Sequence, residues 1–304
     1  MDLSQHPLNL QRVDAISGAT VSSKAALEAI NRSVAAAGHR AFGKRFAPEP
    51  PAAAAGSALW TPRFLATLAL LLASIPIYLS GSERARLGLL ATNIAVLGLW
   101  LNSLVTEVDL INVLLGHLAS LRDNPQHWLL LGFVGLTGLS FGQLWCGYLC
   151  PFGAVQEFVS RLGRRLGLRR YVQRPLGLRL RFVKFLLLAL MLSAVIVSGD
   201  AFWASFDPMQ HLFGRGHLQQ WMAVITVLVL VGNLFYVRFW CRYLCPMGAF
   251  LALSNKLALL QHLAPAREFR RCDLGVRHEF DVDCIRCNRC LSGTDTHVRK
   301  SHHD

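Results

Sequence analysis

Eight cysteines carry most of the chemistry open to this 304-residue chain. Four of them stand in a duplicated element. Residues 145–154 read WCGYLCPFGA and residues 240–249 read WCRYLCPMGA, identical at eight of ten positions and offset by 95 residues. An i, i+4 spacing puts Cys146 and Cys150, and likewise Cys241 and Cys245, on one side of a helix, and the following proline is expected to end or redirect that helix. Four thiolates brought together by two equivalent elements suit tetrahedral sulfur ligation, which means an iron-sulfur cluster or zinc. Free cysteine also serves as a small buried hydrophobe, but two copies with their flanks preserved favour ligation over mere packing.

A second group lies near the C-terminus, where Cys284, Cys287 and Cys290 form CxxCxxC and Cys272 stands twelve residues before it. CxxCxxC is the core of a bacterial ferredoxin loop. The usual continuation xxxCP is missing, since Cys290 is followed by LSGTDTHV, so Cys272 is the candidate fourth ligand. Zinc is the rival here, with His278, His297, His302 and His303 nearby. Two-pair zinc sites show separated CxxC knuckles, and this run does not. No acid, base or nucleophile constellation is visible, so the chain reads as an electron-transfer component and not as a substrate-transforming enzyme.

Near the N-terminus, Asp14, Ser17, Gly18, Ala19 and Thr20 begin the stretch DAISGATVSS, followed by KAALEAINRSVAAA. Hydroxyl caps, small residues and an apolar stripe at Ala26, Ile30 and Val34 account for it as a helix start. Nothing in the spacing alone demands a cofactor.

The elements that must position the cysteines are apolar. With 53% hydrophobic and 16% charged residues and positive mean hydropathy, the chain is too apolar for an ordinary soluble domain. Its net charge of +13 does not point to nucleic acid, because the basic residues flank apolar runs. A span needs about 20 mostly apolar residues, and the segments 60–80, 87–106, 127–145, 182–199 and 219–240 qualify. The expected fold is an all-α membrane protein of about five transmembrane helices containing a parallel internal repeat. Residues 108–121 are too short to span and are expected at an interface or in a re-entrant segment.

Nine Lys/Arg and no acid between Phe158 and Lys184 mark that loop as cytoplasmic. The segments 107–126 and 200–218 are more acidic and are expected outside. Five spans then put the N-terminus in the periplasm and the cysteine motifs and C-terminus in the cytoplasm, in a multi-pass protein of the bacterial inner membrane. Residues 1–45 form an N-terminal segment, 46–59 a Pro/Ala linker, 60–255 the membrane domain and 256–304 the cysteine-rich tail. The first residues contain no apolar signal-peptide core. Residues 1–62 carry six basic and four acidic residues, so charge alone would not export them, and a shortened N-terminus is expected.

An SGAT element, a membrane region with two CxxxCP motifs and a ferredoxin-like tail together resemble the NosR/NirI family, with related membrane modules in NapH. The resemblance covers most of the chain from about residue 10. It implies a membrane flavo-iron-sulfur protein with 4Fe-4S clusters. In the family's FMN-binding domains, as in NqrC and RnfG, the threonine hydroxyl of this element is esterified by the FMN phosphate, which implies covalent FMN on Thr20 and a flavin transferase as partner. It further implies electron passage between the quinone pool or a cytoplasmic donor and an extracytoplasmic reductase or carrier, in contact with membrane lipid. Two departures stand out. Only sixteen residues precede Ser17, which implies a remnant of the FMN domain, and the tail carries one incomplete cysteine run where the family carries complete ones. The alternative is a redox- or metal-sensing membrane protein that regulates or matures a respiratory reductase.

Overall fold

The structure, a computed structural model, describes residues 61–114, 125–168, 179–198, 207–213, 220–263 and 281–291, with 265, 269, 272, 274, 276 and 278 between the last two. Asp14, Ser17, Gly18, Ala19 and Thr20 lie outside the described residues, as do His297, His302 and His303. The chain divides into two units, Met1–Pro51 and Ala52–Asp304, and all described residues belong to the second.

Among the described residues every regular element is helical, as the sequence leads one to expect. Helix α1 (Pro62–Ser80) starts on a Thr61 cap with Pro62 in its first turn and stops at Gly81, whose φ of 66° closes the helix with a bond to the Tyr78 carbonyl. Helix α2 (Glu83–Asn93) runs on into a π-helical segment, π1 (Ile94–Trp100). Then come α3 (Glu107–Leu114), α4 (Pro125–Phe141), a π-helical turn π2 (Trp145–Leu149) and α5 (Pro151–Arg165). The second half supplies α6 (Val183–Ser198), the short α7 (Pro208–Phe213), α8 (Gln220–Phe235), α9 (Phe239–Tyr243) and α10 (Pro246–Ser254).

Of the five expected spans, α1 is long and apolar enough to cross a membrane by length and composition. Helices α6 and α8 are apolar but shorter. The difference has local causes. The second expected span breaks into α2 and π1 before the chain leaves helix at Leu101. The third stops at Phe141 because Gly142 takes a φ of 83°, and the fifth stops where Arg238 turns left-handed. These helices nonetheless turn apolar side chains outward: Leu136 of α4, Leu190 of α6 and Leu228 of α8 are each more than half exposed.

The repeat folds as a repeat. The Gln143 N–H donates to Asn255 Oδ1 at 3.0 Å, and 95 residues on the Arg238 N–H donates to Ser160 Oγ at 3.4 Å. Since Ser160 and Asn255 are themselves 95 apart, the two bonds are one contact seen from both halves, the signature of a two-fold relation between parallel repeats. Accordingly α5 of the first half packs on α8 of the second, and α10 packs on α4. Gly163 lets α5 approach closely, because a Cβ there would overlap the Leu234 carbonyl.

Segments expected at the cytoplasmic face do meet at one end. Arg161 pairs with Glu83, Asn288 Nδ2 donates to the Tyr78 carbonyl, and Lys184 Nζ lies 3.0 Å from Asp283. Residues 281–291 are therefore docked on this unit, because Asp281 and Asp283 meet basic residues that follow α5. The two segments expected outside behave differently from free loops. Glu107 and Asp207 are each 3% exposed, and Met209 and Phe213 of α7 pack in one apolar cluster with Leu104, Phe152 and Val229.

Candidate metal centre

Each CPxG sequence makes a helix start. Cys150 caps α5 and Cys245 caps α10, each with proline as the first helical residue. The Gly153 N–H donates to Cys150 Sγ at 3.4 Å and the Gly248 N–H to Cys245 Sγ at 3.2 Å. Both thiols thus sit at the positive end of a helix dipole, which favours the thiolate. The prolines redirect the chain into the next helix, one of the two outcomes expected from the sequence, because a missing N–H costs nothing in a first turn.

The turns that carry Cys146 and Cys241 are wound to match. The N–H of Cys150 reaches back five residues to the Trp145 carbonyl, and that of Cys245 to the Trp240 carbonyl, both at 2.9 Å. In the first motif this winding, with Pro151 lacking an N–H, leaves three successive carbonyls without helical partners. Three buried side chains take them: Arg238 on Cys146 O, Arg86 Nε on Gly147 O at 3.1 Å, and Asn93 Nδ2 on Tyr148 O at 2.6 Å.

The result is that Cys146, Cys150, Cys241 and Cys245 line a single cavity, bounded also by Trp240 and Asp207. Gln156 spans the two halves, its Nε2 donating to Cys241 Sγ at 3.1 Å. The second predicted set comes together as well: Cys272, Cys284, Cys287 and Cys290 line a second cavity, and Ile285 forms a wall of both. Among the described residues no three His, Cys, Asp or Glu side chains converge closely enough to hold one metal ion. Each cavity is lined by four cysteines, the all-sulfur donor set that thiolate-ligated centres use.

One of the two positions where the motif copies differ, Gly147 against Arg242, explains how the tail reaches them. At Gly147 a Cβ would overlap the Ile285 carbonyl. At the equivalent Arg242, the side chain Nε lies 3.8 Å from Asp283. One copy gives way to the tail and the other grips it.

Charge around the cavities is unusual. Glu157 is 1% exposed and accepts from two fully buried guanidiniums, Arg86 Nη2 at 3.3 Å and Arg238 Nε at 3.1 Å, with Arg161 and Arg289 also close. Burial alone would raise its carboxyl, but Arg289, Arg86, Arg238 and Arg161 hold it well below the ordinary range. Burial pushes the Cys150 thiol up to about 12, with the neighbouring Cys241 adding to the effect. Burial likewise raises Cys245. These thiols ionise when a cation is among them, and a metal cluster supplies that cation. The all-cysteine donor sets, four to each cavity, fit thiolate-ligated clusters, and the Glu157 carboxylate beside them is shared among Arg86, Arg238, Arg161 and Arg289.

Sequence reasoning missed Arg86, Gln143, Gln156, Glu157 and Arg238. For Arg86 and Arg238 the available signal was a charged residue inside or against an apolar span, which marks function by default. His278, which kept zinc in contention, is exposed and does not line either cavity.

Comparison with known proteins bears on the same elements. The 4Fe-4S binding domain family matches residues 128–169 and 218–264, one match per repeat half. The FMN-binding domain family matches residues 4–35, which include the SGAT element. These matches assign iron-sulfur clusters and FMN as the chain's cofactors. Among relatives, protein NirI of Paracoccus denitrificans is 32% identical over 80% of this chain and 40% of its own length. Regulatory protein NosR of Pseudomonas aeruginosa is 30% identical over 69% of this chain and 32% of its length. Ferredoxin-type protein NapH of Haemophilus influenzae is 27% identical over 49% of this chain and 58% of its length. The chain thus spans less than half of NirI and NosR. No solved structure matches. The chain thus carries a 4Fe-4S binding domain match in each repeat half and an FMN-binding domain match, and it is similar to NirI and NosR.

Proposed function

We propose that this chain is a multi-pass inner-membrane electron-transfer protein holding two iron-sulfur centres side by side. One is ligated by Cys146, Cys150, Cys241 and Cys245, the other by Cys272, Cys284, Cys287 and Cys290. The observation that carries this reading is the pair of four-cysteine cavities sharing Ile285 as a common wall. The clusters supply one-electron chemistry when bound. The protein's part is placement: helix caps present thiolates, Gln156 donates to one sulfur, and buried guanidiniums balance the charge. Outward apolar faces on α1, α4, α6 and α8 support five spans with the cysteines at the cytoplasmic side.

In this scheme electrons pass between the quinone pool or a cytoplasmic donor and an extracytoplasmic reductase or carrier. FMN joined to Thr20 by a transferase is the outer relay. A second reading, control or maturation of a reductase system, has the printed name of one relative in its favour, regulatory protein NosR.

Anaerobic purification decides between them. The expected result is iron and acid-labile sulfide with a broad visible absorbance that dithionite bleaches. Cys150→Ser and Cys245→Ser each remove the repeat centre, and Cys287→Ser removes the tail centre alone. Colourless protein with stoichiometric zinc would overturn the electron-transfer reading. Flavin fluorescence of the denatured band, lost in Thr20→Val, tests the covalent flavin.

A further inference from the structure

Arg238 is the least expected side chain in the molecule. It ends an otherwise apolar segment, yet it is 1% exposed and adopts left-handed backbone, φ 50° and ψ 49°, at a cost of about 1 kcal/mol for a non-glycine residue. Something compensates for that placement. Its backbone N–H donates to Ser160, its Nε to Glu157 and its Nη1 to the Cys146 carbonyl. Its Nη2 is buried and has no hydrogen-bond partner among the described residues.

The guanidinium meets the repeat set of cysteines directly and the tail set through Glu157. Its Nη1 donates to the Cys146 carbonyl, and the carboxylate it pairs with also lies 3.6 Å from Arg289, which lines the tail cavity with Cys287 and Cys290. The Gly153 that donates to Cys150 has no Cβ, and a Cβ there would sit 3.3 Å from Arg238 Nη1. Glu157 does not neutralise this charge, because it serves Arg86 at the same time. A buried, partly compensated cation costs several kcal/mol unless further anions complete its environment. Two thiolate-ligated clusters would be those anions, and each gains a further negative charge on reduction.

The repeat itself shows that the charge is specific. The residue related to Arg238 by the 95-residue offset is Gln143, which lines the same repeat cavity and donates to Gly248 O and Val282 O. One half places a neutral amide where the other places a cation.

Resting on the two-centre reading above, we infer that Arg238 is a positioning residue shared by both centres, holding their reduction potentials up and favouring the repeat centre over the tail centre. The asymmetry follows from its contacts, a direct one to the Cys146 carbonyl of the repeat set against one through Glu157 to Arg289 at the tail cavity. A fixed cation near a site that becomes more negative stabilises the reduced form, and the effect is large where water is excluded.

The test is a redox titration of the full-length, cluster-loaded protein in detergent, followed by electron paramagnetic resonance of each centre. Arg238→Gln, which copies the Gln143 half, is expected to lower both potentials. The repeat centre should change at least tenfold in its reduction equilibrium, equivalent to 59 mV for one electron, and the tail centre less. Arg238→Lys should restore most of the loss. Glu157→Gln, which strips the counter-charge from the guanidinium, should move both potentials upward, and it decides the matter if Arg238→Gln does not load. Clusters present with unmoved potentials in these variants, or a larger shift at the tail centre, would overturn the role of Arg238. Wild-type protein without clusters would overturn the two-centre reading itself, and this inference with it.

Discussion

A thiol buried in an apolar wall is a poor ligand until something helps it ionise, and the two halves of this protein provide that help in the same way. Cys-Pro-x-Gly turns the cysteine into a helix cap whose sulfur accepts a backbone N–H. Where the halves differ, the difference tunes. Gln156 donates to Cys241 Sγ, and its counterpart in the second half is Leu251. Gln156→Leu therefore imposes the second half's arrangement on the first. Hydrogen bonds to ligand sulfur stabilise added negative charge, so the variant should lower the potential of the repeat centre and leave the tail centre in place. Potentiometry with resonance detection of the two signals reads this directly, and an unchanged repeat potential would remove Gln156 from the tuning set. All eight cysteines were legible in the sequence because two motifs repeat and CxxCxxC is distinctive. Gln156 and Glu157 were not, because a glutamine or glutamate just before an arginine-rich run reads as ordinary surface until the fold buries it.

Helices α5 and α8 are held together by an absence of side chain. The Leu234 carbonyl occupies the space where a Gly163 Cβ would stand, whereas a Cβ on Gly135 of α4 would meet nothing within 4 Å. The two glycines predict opposite behaviour. Gly163→Ala forces the backbones apart and should cost about 1–3 kcal/mol, the range of overpacked sites. Gly135→Ala should be neutral or stabilising by about 0.5–1 kcal/mol, because it removes backbone entropy from an open helical position. Thermal unfolding of both variants in the same detergent checks the pair, and equal midpoints would contradict this packing. Helix existence was legible from apolar run length. Helix ends were less so: the third expected span was read to residue 145 but stops at Phe141, where Gly142 has φ 83°, and the fifth was read to 240 but stops at Phe235. Hydropathy averages over a window and cannot register a stop set by one residue's backbone, as at Gly142 and Arg238.

At the scale of the whole molecule, residues 281–291 and the repeat are one structure, and under the proposed function this decides where electrons can go. Charge pairing draws the tail in: Lys184 is 2% exposed with Asp283 against it, and Arg181 lies 3.3 Å from Asp281. The same basic residues were legible only as an orientation signal, since the acidic pair Asp281 and Asp283 is a hundred residues away and no local pattern connects them. Backbone shape then fixes the register, because Ile285 rests where only a glycine at 147 leaves room. Gly147→Ala should accordingly displace the tail without touching any cysteine. Residues 281–291 should become open to limited proteolysis, and iron should fall toward the content of the repeat centre alone, with that centre's signal preserved. Asp283→Asn, which leaves the buried Lys184 without its nearest carboxylate, should act in the same direction and cost about 3–5 kcal/mol, as breaking a buried ion pair does. If Gly147→Ala keeps both signals and resists proteolysis, the common wall at Ile285 does not join the two centres, and electrons must enter the repeat by another route.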